Sequence, residues 1–515
     1  MSHSKIIYKR DYDRLNTKFE NYQQRYKTWN SRARNLLKQI TRKDEKIENL
    51  NNRLAAAKKD LNEKDKVITE LINNSSAKQN TKIAKHHYGL LQVILFIELY
   101  IRCNVSLHGC ERSIGSSFTT LDIYWDVPNW KTGKTWIMKL GYYKLHNIKV
   151  DKHLDWVWMM DHSIQLGDEK CFLVLGIRKT SIPIGRALCA KDMTVLHMSF
   201  MKKSTGEIIN QILENLSKIL EIIPRQIISD EGGDVKKGAC LFAKEHTKTI
   251  VTYDLKHKIA NWYKRNIGTD ENWTSYVSDS AKFKKQIQQT SLSYLSPPTM
   301  KVKARYMNLP ELTYWGSQSV NLLNNVYPNE DNELIHSKLS WLSDYEENLK
   351  KYTQIHDVAR IMEIEIRNYG ITKDSAKKLN KDLEHQVLTP LAHSFKTEII
   401  EFIRQQGVKL RKEERILGST EIIDSIFGHL KMFSGKHSKS GFTSMSLAIP
   451  ALVGDFNTKD IEKALTTVKN SDVKVWCKNN ISRSIQGEKN RLNKWIKCLK
   501  ETPEAKNEYQ EKVAA

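Results

Sequence analysis

Two short apolar runs in the middle of the chain each end in an aspartate. Asp161 follows the run VWMM, and Asp230 follows the run QIIS. Strands that end in an acidic residue place carboxylates at one edge of a sheet, where loops can open a cleft. A third acid, Glu421, lies in the predicted helix STEIIDSIFGHLK. The sequence therefore predicts three carboxylates, from separate elements, at one site.

Three carboxylates of this kind suit hard divalent cations. Mg²⁺ prefers carboxylate oxygens, and two ions about 3.5–4 Å apart can activate one oxygen and stabilise another during phosphodiester displacement. We expect two Mg²⁺ or Mn²⁺ ions, with Asp161, Asp230 and Glu421 as catalytic residues and metal ligands. Taken singly, such acids often only cap a turn or face solvent. Asp234 and Asp254 are alternatives to Asp230.

The elements that would position these acids form an α/β layer. From residue 151 to 260 the pattern predicts three strands (the third within 187–198), a helix, a strand, a helix and a strand. Residues 261–407 read as a helical insertion, and residues 408–455 return to the layer with Glu421. The helix after the third strand is predicted to bury one face, formed by Ile208, Ile212, Leu216, Ile219 and Leu220. Residues 456–515 read as a basic helical region.

The N-terminal part of the chain predicts two further modules. Residues 1–75 carry apolar side chains every 3.5 residues, which is typical of a coiled coil; a single solvated helix folded back on the protein is the alternative. Residues 83–150 predict a helix-turn-helix-like DNA-binding region. Its second helix would offer Lys131 and Lys134 to a DNA groove.

The composition of the chain indicates which classes of molecule it could bind. The formal net charge of +24 over 515 residues favours polyanions, nucleic acid first. The longest apolar run, residues 89–101, is shorter than the roughly 20 residues that a membrane span needs. No apolar stretch follows the basic N-terminus, which argues against a signal peptide. Seven cysteines without a CxxC pair argue against a zinc site and fit a cytoplasmic protein.

Three segments resemble the signature blocks of bacterial insertion-sequence transposases of the DDE type: residues 161–180, 228–238 and 419–431. Residues 288–309 and 440–454 are similar to further parts of the same group, in the same order. The resemblance covers about residues 85–480. It implies a ribonuclease H-like core of a mixed sheet flanked by helices, with Asp161, Asp230 and Glu421 as the triad. It also implies that the helical block is an insertion domain.

The resemblance implies a DNA transposase that binds transposon ends, cleaves DNA with metal ions and transfers strands. Its partners would be double-stranded DNA, as terminal inverted repeats and target, and a second copy in a homodimer or higher oligomer. No membrane partner is expected. Two alternatives stay open: a related nuclease without strand transfer, and a non-catalytic DNA-binding derivative.

Further DNA contacts are expected near the acids. The candidates are His257, Lys258, Lys431 and Lys436. Trp262, Trp273 and Trp315 would either stack on unpaired bases or pack in a core.

Overall fold

The computed structural model describes residues 2–74, 80–164, 168–299, 309–325, 330–433 and 441–501. Lys436 lies outside these residues. The chain forms two compact units, one of residues 1–80 with 122–124, the other of residues 81–121 with 125–515. Among the described helices, none is long and apolar enough to cross a membrane.

The first unit is one long helix, α1 (Ser2–Asn74). The described apolar side chains of the predicted heptad are exposed along it, from Leu15 to Leu61. Trp29, for example, is 73% exposed. The helix is therefore as predicted, while its pairing with a second copy stays a prediction.

Three helices open the second unit: α2 (Leu90–Ile101), α3 (Leu107–Thr120) and α4 (Trp130–His146). Ser106 caps α3 and Asn129 caps α4, each accepting a backbone hydrogen bond with its side chain. Phe96 of α2 meets Trp136 of α4 edge to face, with ring centroids 5.9 Å apart. Three short helices thus pack around a small apolar core.

A five-stranded mixed sheet follows, so the predicted α/β layer is present. Its strands are β1 (Trp156–Ile164), β2 (Lys170–Arg178), β3 (Thr194–Met201), β4 (Gln226–Ser229) and β5 (Ile250–Tyr253). The order is β3-β2-β1-β4-β5. The first three strands pair antiparallel, while β4 pairs parallel with β1, and β5 with β4.

The strand expected within residues 187–198 begins only at Thr194. The preceding residues form a loop that Arg186 and Asp192 close with hydrogen bonds of 2.7 and 2.8 Å. A bidentate ion pair of this kind fixes a turn. The apolar residues of the run therefore do not all extend the strand.

Two helices, α5 (Gly206–Leu220) and α6 (Gly233–Glu245), pack together over the sheet. The predicted buried face of α5 is partly wrong. The residues that are buried are Ile209, Leu213, Leu216 and Leu220, whereas Ile219 is 78% exposed. Ile209 packs closely against α6, where a Cβ at Gly238 would lie 2.5 Å from its side chain. The buried face of α5 therefore includes Ile209 and not Ile208, which is 37% exposed.

The helical block has its own apolar core, rich in aromatic rings. Its helices are α7 (Leu255–Asn266), α8 (Glu271–Ile287), α9 (Leu309–Asn325), α10 (Glu330–Leu339), α11 (Glu346–Tyr369), α12 (Ser375–Asp382) and α13 (Pro390–Gly407). Trp262 and Trp273 are buried in this core, as the packing interpretation predicts, and Trp315 packs partly buried against it.

The chain then returns to the sheet and ends in further helices. These are α14 (Glu421–Phe433), α15 (Ala448–Leu452), α16 (Thr458–Thr467), α17 (Asn470–Asn480) and α18 (Ile485–Glu501). Ile423, Ile426 and Phe427 bury one side of α14. Because this side of α14 is buried, the acids Glu421 and Asp424 of its first turn lie on the other sides of the helix.

Candidate active site

Met160 of β1 pairs with Ser229 of β4 in parallel register, and the residue after each of them is an aspartate, so Asp161 and Asp230 lie side by side. The expectation that the first strand ends at Asp161 is wrong, because β1 continues to Ile164 by pairing with β2. Asp230 Oδ1 accepts a 3.1 Å hydrogen bond from the Gly232 amide. A Cβ at Gly232 would lie 2.9 Å from that oxygen, so glycine leaves room for the carboxylate. The structure thus brings two of the predicted acids together.

The two carboxylates repel each other in a site that excludes much of the water. Burial, followed by the charge of Asp230, raises the pKa of Asp161 to about 7. A hydrogen bond from the His162 amide lowers the pKa of Asp161, and the charge of Asp424 raises it further. Burial and repulsion make the negative charge of Asp161 unfavourable, and a bound cation would relieve this.

Asp234 is engaged elsewhere. Its carboxylate lies 3.3 Å from His162 Nε2 and 3.9 Å from Lys170 Nζ. Burial opposes ionisation of Asp234, but the hydrogen bond from Ser204 and the charge of His162 outweigh it, so the pKa of Asp234 is lowered. Asp234 therefore has partners other than the Asp161–Asp230 pair.

Asp254 is also engaged, and it is almost completely buried, with 1% exposure. Oδ1 accepts hydrogen bonds from the backbone N–H of His257 at 2.7 Å and from its Nδ1 at 3.1 Å. Oδ2 accepts from the backbone N–H and the hydroxyl of Thr420. With both oxygens occupied, Asp254 joins the start of α7 to the start of α14. It does not fit the alternative role of replacing Asp230 as a ligand.

His257 is a cation next to the acids. Burial alone would lower its pKa, but Asp254 outweighs burial, and Asp230 and Asp424 add to this effect. The pKa of His257 is consequently raised to about 9. The predicted position of His257 near the acidic site is thus present, with a fixed orientation that the sequence did not suggest.

Glu421 points to a different set of partners. Its carboxylate lies 2.8 Å from Lys256 Nζ and 3.7 Å from an Arg367 nitrogen. Glu363 stands close enough that Glu421 contributes to its pKa, which burial raises to about 7. Glu421 also lines a cavity of about 360 Å³ with Arg367, Ser425 and other residues. Glu421 thus forms ion pairs with Lys256 and Arg367, and its place in the predicted triad stays a prediction.

Asp424, three residues further along α14, also acts on Asp161, with a smaller effect than Asp230. It raises the pKa of Asp161, and loss of solvation raises its own pKa while His257 opposes this. Three residues in a helix turn the side chain by about 60°, so Asp424 and Glu421 leave α14 in different directions. Asp424 was not among the residues predicted from the sequence, although it lies in the same segment EIIDSIFG as Glu421.

The predicted DNA-binding lysines differ in their surroundings. Lys131 is exposed at the start of α4, and Lys134 is half-buried and near Cys477. Lys258 pairs with Glu398 of α13 at 3.2 Å, away from the acids. Lys431 is exposed and close enough to lower the pKa of Asp424. Lys131 and Lys431 therefore offer charge to solvent, and Lys258 does not.

The donor set can be tested against a divalent cation. Within the described ranges, no group of three or more His, Cys, Asp and Glu side chains is arranged to hold a metal ion. An open pair of adjacent carboxylates, one with a raised pKa, nevertheless fits Mg²⁺ because this ion keeps several waters and often binds only one or two carboxylates. Asp161 and Asp230 would hold it, with Asp424 next to them.

A scan of the chain against models of protein families gave no match, and neither did a search of curated proteins.

Proposed function

We propose that the chain is a DNA transposase with a ribonuclease H-like core, which cleaves transposon ends and transfers the strands. The observation that carries this proposal is the pair of carboxylates Asp161 and Asp230 on neighbouring parallel strands. The strand order β3-β2-β1-β4-β5 supports the same core. The acid on α14 and the cation His257 beside the pair support phosphodiester chemistry.

Asp161 and Asp230 would bind Mg²⁺ or Mn²⁺, and Asp424 is proposed as the acid next to this pair in place of Glu421. When bound, these ions supply activation of an attacking oxygen and stabilisation of the departing one. The protein holds the carboxylates at one sheet edge, in surroundings that raise the pKa of Asp161 and so favour cation binding. Glu421, held by Lys256 and Arg367, would orient α14.

DNA binding is assigned to positive charge outside this pair. The net charge of +24 supplies a general attraction for phosphates. Lys131 on α4 and Lys431 on α14 would contact the DNA backbone. The long helix α1 would join two copies, since transposition requires two ends to be held together. Its exposed apolar seam supports that role.

The test is cleavage of a labelled duplex that carries the terminal repeat found beside the gene, with Mg²⁺ or Mn²⁺. We expect the wild type to nick at the end of the repeat and to join the liberated 3′-OH to a target plasmid. Asp161→Asn and Asp230→Asn should abolish both steps and leave binding intact, because neither acid neutralises a phosphate. Cutting in EDTA would refute metal dependence, and nicking without joining would reduce the assignment to a nuclease.

A further inference from the structure

The imidazole of His257 is fixed from one side only. Asp254 Oδ1 accepts from Nδ1 at 3.1 Å and from the backbone N–H of the same residue at 2.7 Å. Thr420 holds the second oxygen of Asp254, so the carboxylate cannot rotate away. Because Nδ1 donates to Asp254, the second ring proton of the cation resides on Nε2. The histidine therefore presents one proton away from Asp254.

The His257 ring lies where its Nε2 proton could be transferred to a substrate. The Asp254 amide donates at 3.0 Å to the carbonyl of Ser229, the residue before Asp230, so the Asp254–His257 pair lies next to the acids. Its side chain keeps 29% exposure, so a substrate can approach the ring. A buried carboxylate that orients a histidine and stabilises its cation is a known device for proton transfer. A surface histidine that only bound phosphate would not require a buried partner.

We propose that His257 is the general acid of DNA cleavage, and that Asp254 is its positioning residue; this assignment rests on the proposed function. In the cleavage step a water oxygen bonds to phosphorus while the bond from phosphorus to the 3′ oxygen breaks. The Nε2 proton passes to that 3′ oxygen, which leaves as a hydroxyl. The water loses its proton to solvent, and the neutral imidazole later recovers one from solvent.

A deoxyribose alkoxide is a poor leaving group, which is why a proton donor matters. General acid catalysis by a positioned side chain contributes about 10²- to 10⁴-fold to a rate. A thiolate, by contrast, leaves without a proton. A substrate with sulfur in place of the bridging 3′ oxygen therefore separates proton donation from phosphate binding.

The experiment compares single-turnover cleavage of two duplexes, one with the bridging 3′ oxygen and one with 3′ sulfur, in Mn²⁺ throughout because Mn²⁺ tolerates sulfur. The full-length chain is used as wild type, His257→Gln, Asp254→Asn and Asp161→Asn. Lys264→Gln, on the exposed end of the same helix, is the matched control. Melting temperature and duplex binding are measured first, so that a variant that does not fold is recognised.

We expect His257→Gln to lose about 100-fold or more on the oxygen substrate and to approach the wild-type rate on the sulfur substrate. Asp254→Asn should show the same selective loss, to a smaller extent. Asp161→Asn should be inactive on both substrates, and Lys264→Gln should match the wild type on both.

Two results would overturn the general-acid role. One is a folded His257→Gln protein that cuts the oxygen substrate at the wild-type rate. The other is an equal loss on both substrates by folded protein, which would make His257 a phosphate-binding residue. Failure of the proposed function looks different, because the wild type itself would then cut neither duplex. If His257→Gln does not fold, the selective loss in Asp254→Asn decides the matter.

Discussion

Arg225 and Glu414 form a buried ion pair with two parallel hydrogen bonds, from Nε at 2.8 Å and from Nη2 at 2.7 Å. Arg225 immediately precedes β4, and Glu414 follows the helical block. Lys179 adds a third contact to the same carboxylate at 2.9 Å. The pair thus joins the strand that leads to Asp230 with the chain that leads to α14.

Replacing Glu414 should therefore destabilise the protein strongly. Glu414→Gln leaves Arg225 without its counter-charge in a buried position, and we expect a loss of about 3–5 kcal/mol in the free energy of unfolding. Urea denaturation followed by circular dichroism measures this. Glu413→Gln, at the exposed neighbouring residue, is the control and should change little. Equal stability of the two variants would contradict the importance of the pair.

The same pair predicts an acid sensitivity. Burial opposes ionisation of Glu414, but Arg225 outweighs it and lowers the pKa of Glu414 to about 2. Because the folded pKa lies below the unfolded one, the stabilisation is complete above roughly pH 5 and is lost as the pH falls toward 2. The difference in stability between wild type and Glu414→Gln should shrink over that interval. A difference that stays constant from pH 7 to pH 3 would be inconsistent with this linkage.

Asp161 predicts the opposite pH dependence. Its pKa is raised to about 7, so its ionisation opposes folding, and the cost grows as the pH rises from about 4 through 7. Without metal, Asp161→Asn should stabilise the protein at pH 8 by on the order of 1–3 kcal/mol, and by less at pH 4.5. Asp382→Asn, on the exposed end of α12, should not. A thermal melt series at several pH values measures both.

With divalent cations present, the wild type should become more stable than Asp161→Asn. Mg²⁺ or Mn²⁺ bound to the folded protein raises its melting temperature by mass action. We expect this rise in the wild type and its loss in Asp161→Asn and Asp230→Asn. A rise of the same size in all three proteins would show that the ions bind elsewhere.

The two acids of α14 can be told apart by cleavage. Asp424→Asn should reduce end cleavage by at least about 100-fold with binding retained, since a lost metal ligand costs position and occupancy. Glu421→Gln removes a partner of Lys256 and Arg367 instead, and should retain most activity. The reverse ranking would restore Glu421 to the triad that the sequence resemblance implies.

The DNA contact proposed for α4 should affect how strongly DNA binding depends on salt concentration. Lys131→Ala should weaken binding of the terminal duplex and reduce the slope of log K against log salt by about 1, because one phosphate contact is lost. Lys377→Ala, on exposed α12, is the matched control. Unchanged slopes for both variants would exclude Lys131 from the interface.

Pairing of α1 predicts a mass change. Leu50→Glu places a charge in the apolar seam and should convert the oligomer to a monomer by light scattering. Asn52→Glu, on the opposite side of the predicted heptad, should leave the mass unchanged. A wild-type protein that is itself monomeric would show that the seam serves another contact.

The strands and the first two acids were predictable because their signals are local. An apolar run that ends in an acid needs only its own sequence to be recognised, and Asp161 and Asp230 both follow such runs. Which acid of α14 serves the site cannot be predicted from local sequence, and Asp424 is our proposal. Glu421 and Asp424 lie on one helix turn, and the contact between Thr420 and Asp254 decides how that turn is oriented. The prediction of the buried face of α5 was partly wrong because that face packs against α6, where Gly238 meets Ile209, and this contact is between separate helices.

Asp254 and Thr420 touch although 166 residues separate them in the chain. The helical block thus leaves the sheet and returns to it at nearly one point, with the Leu255 amide donating to the Gly418 carbonyl at 3.0 Å. Closing a longer flexible loop costs only about 0.6 kcal/mol per doubling of its length. Evolution can therefore enlarge, shrink or exchange the material between these two residues and keep the geometry of the acids. The junction between Asp254 and Thr420 is therefore an insertion site that can accept other recognition or regulatory domains.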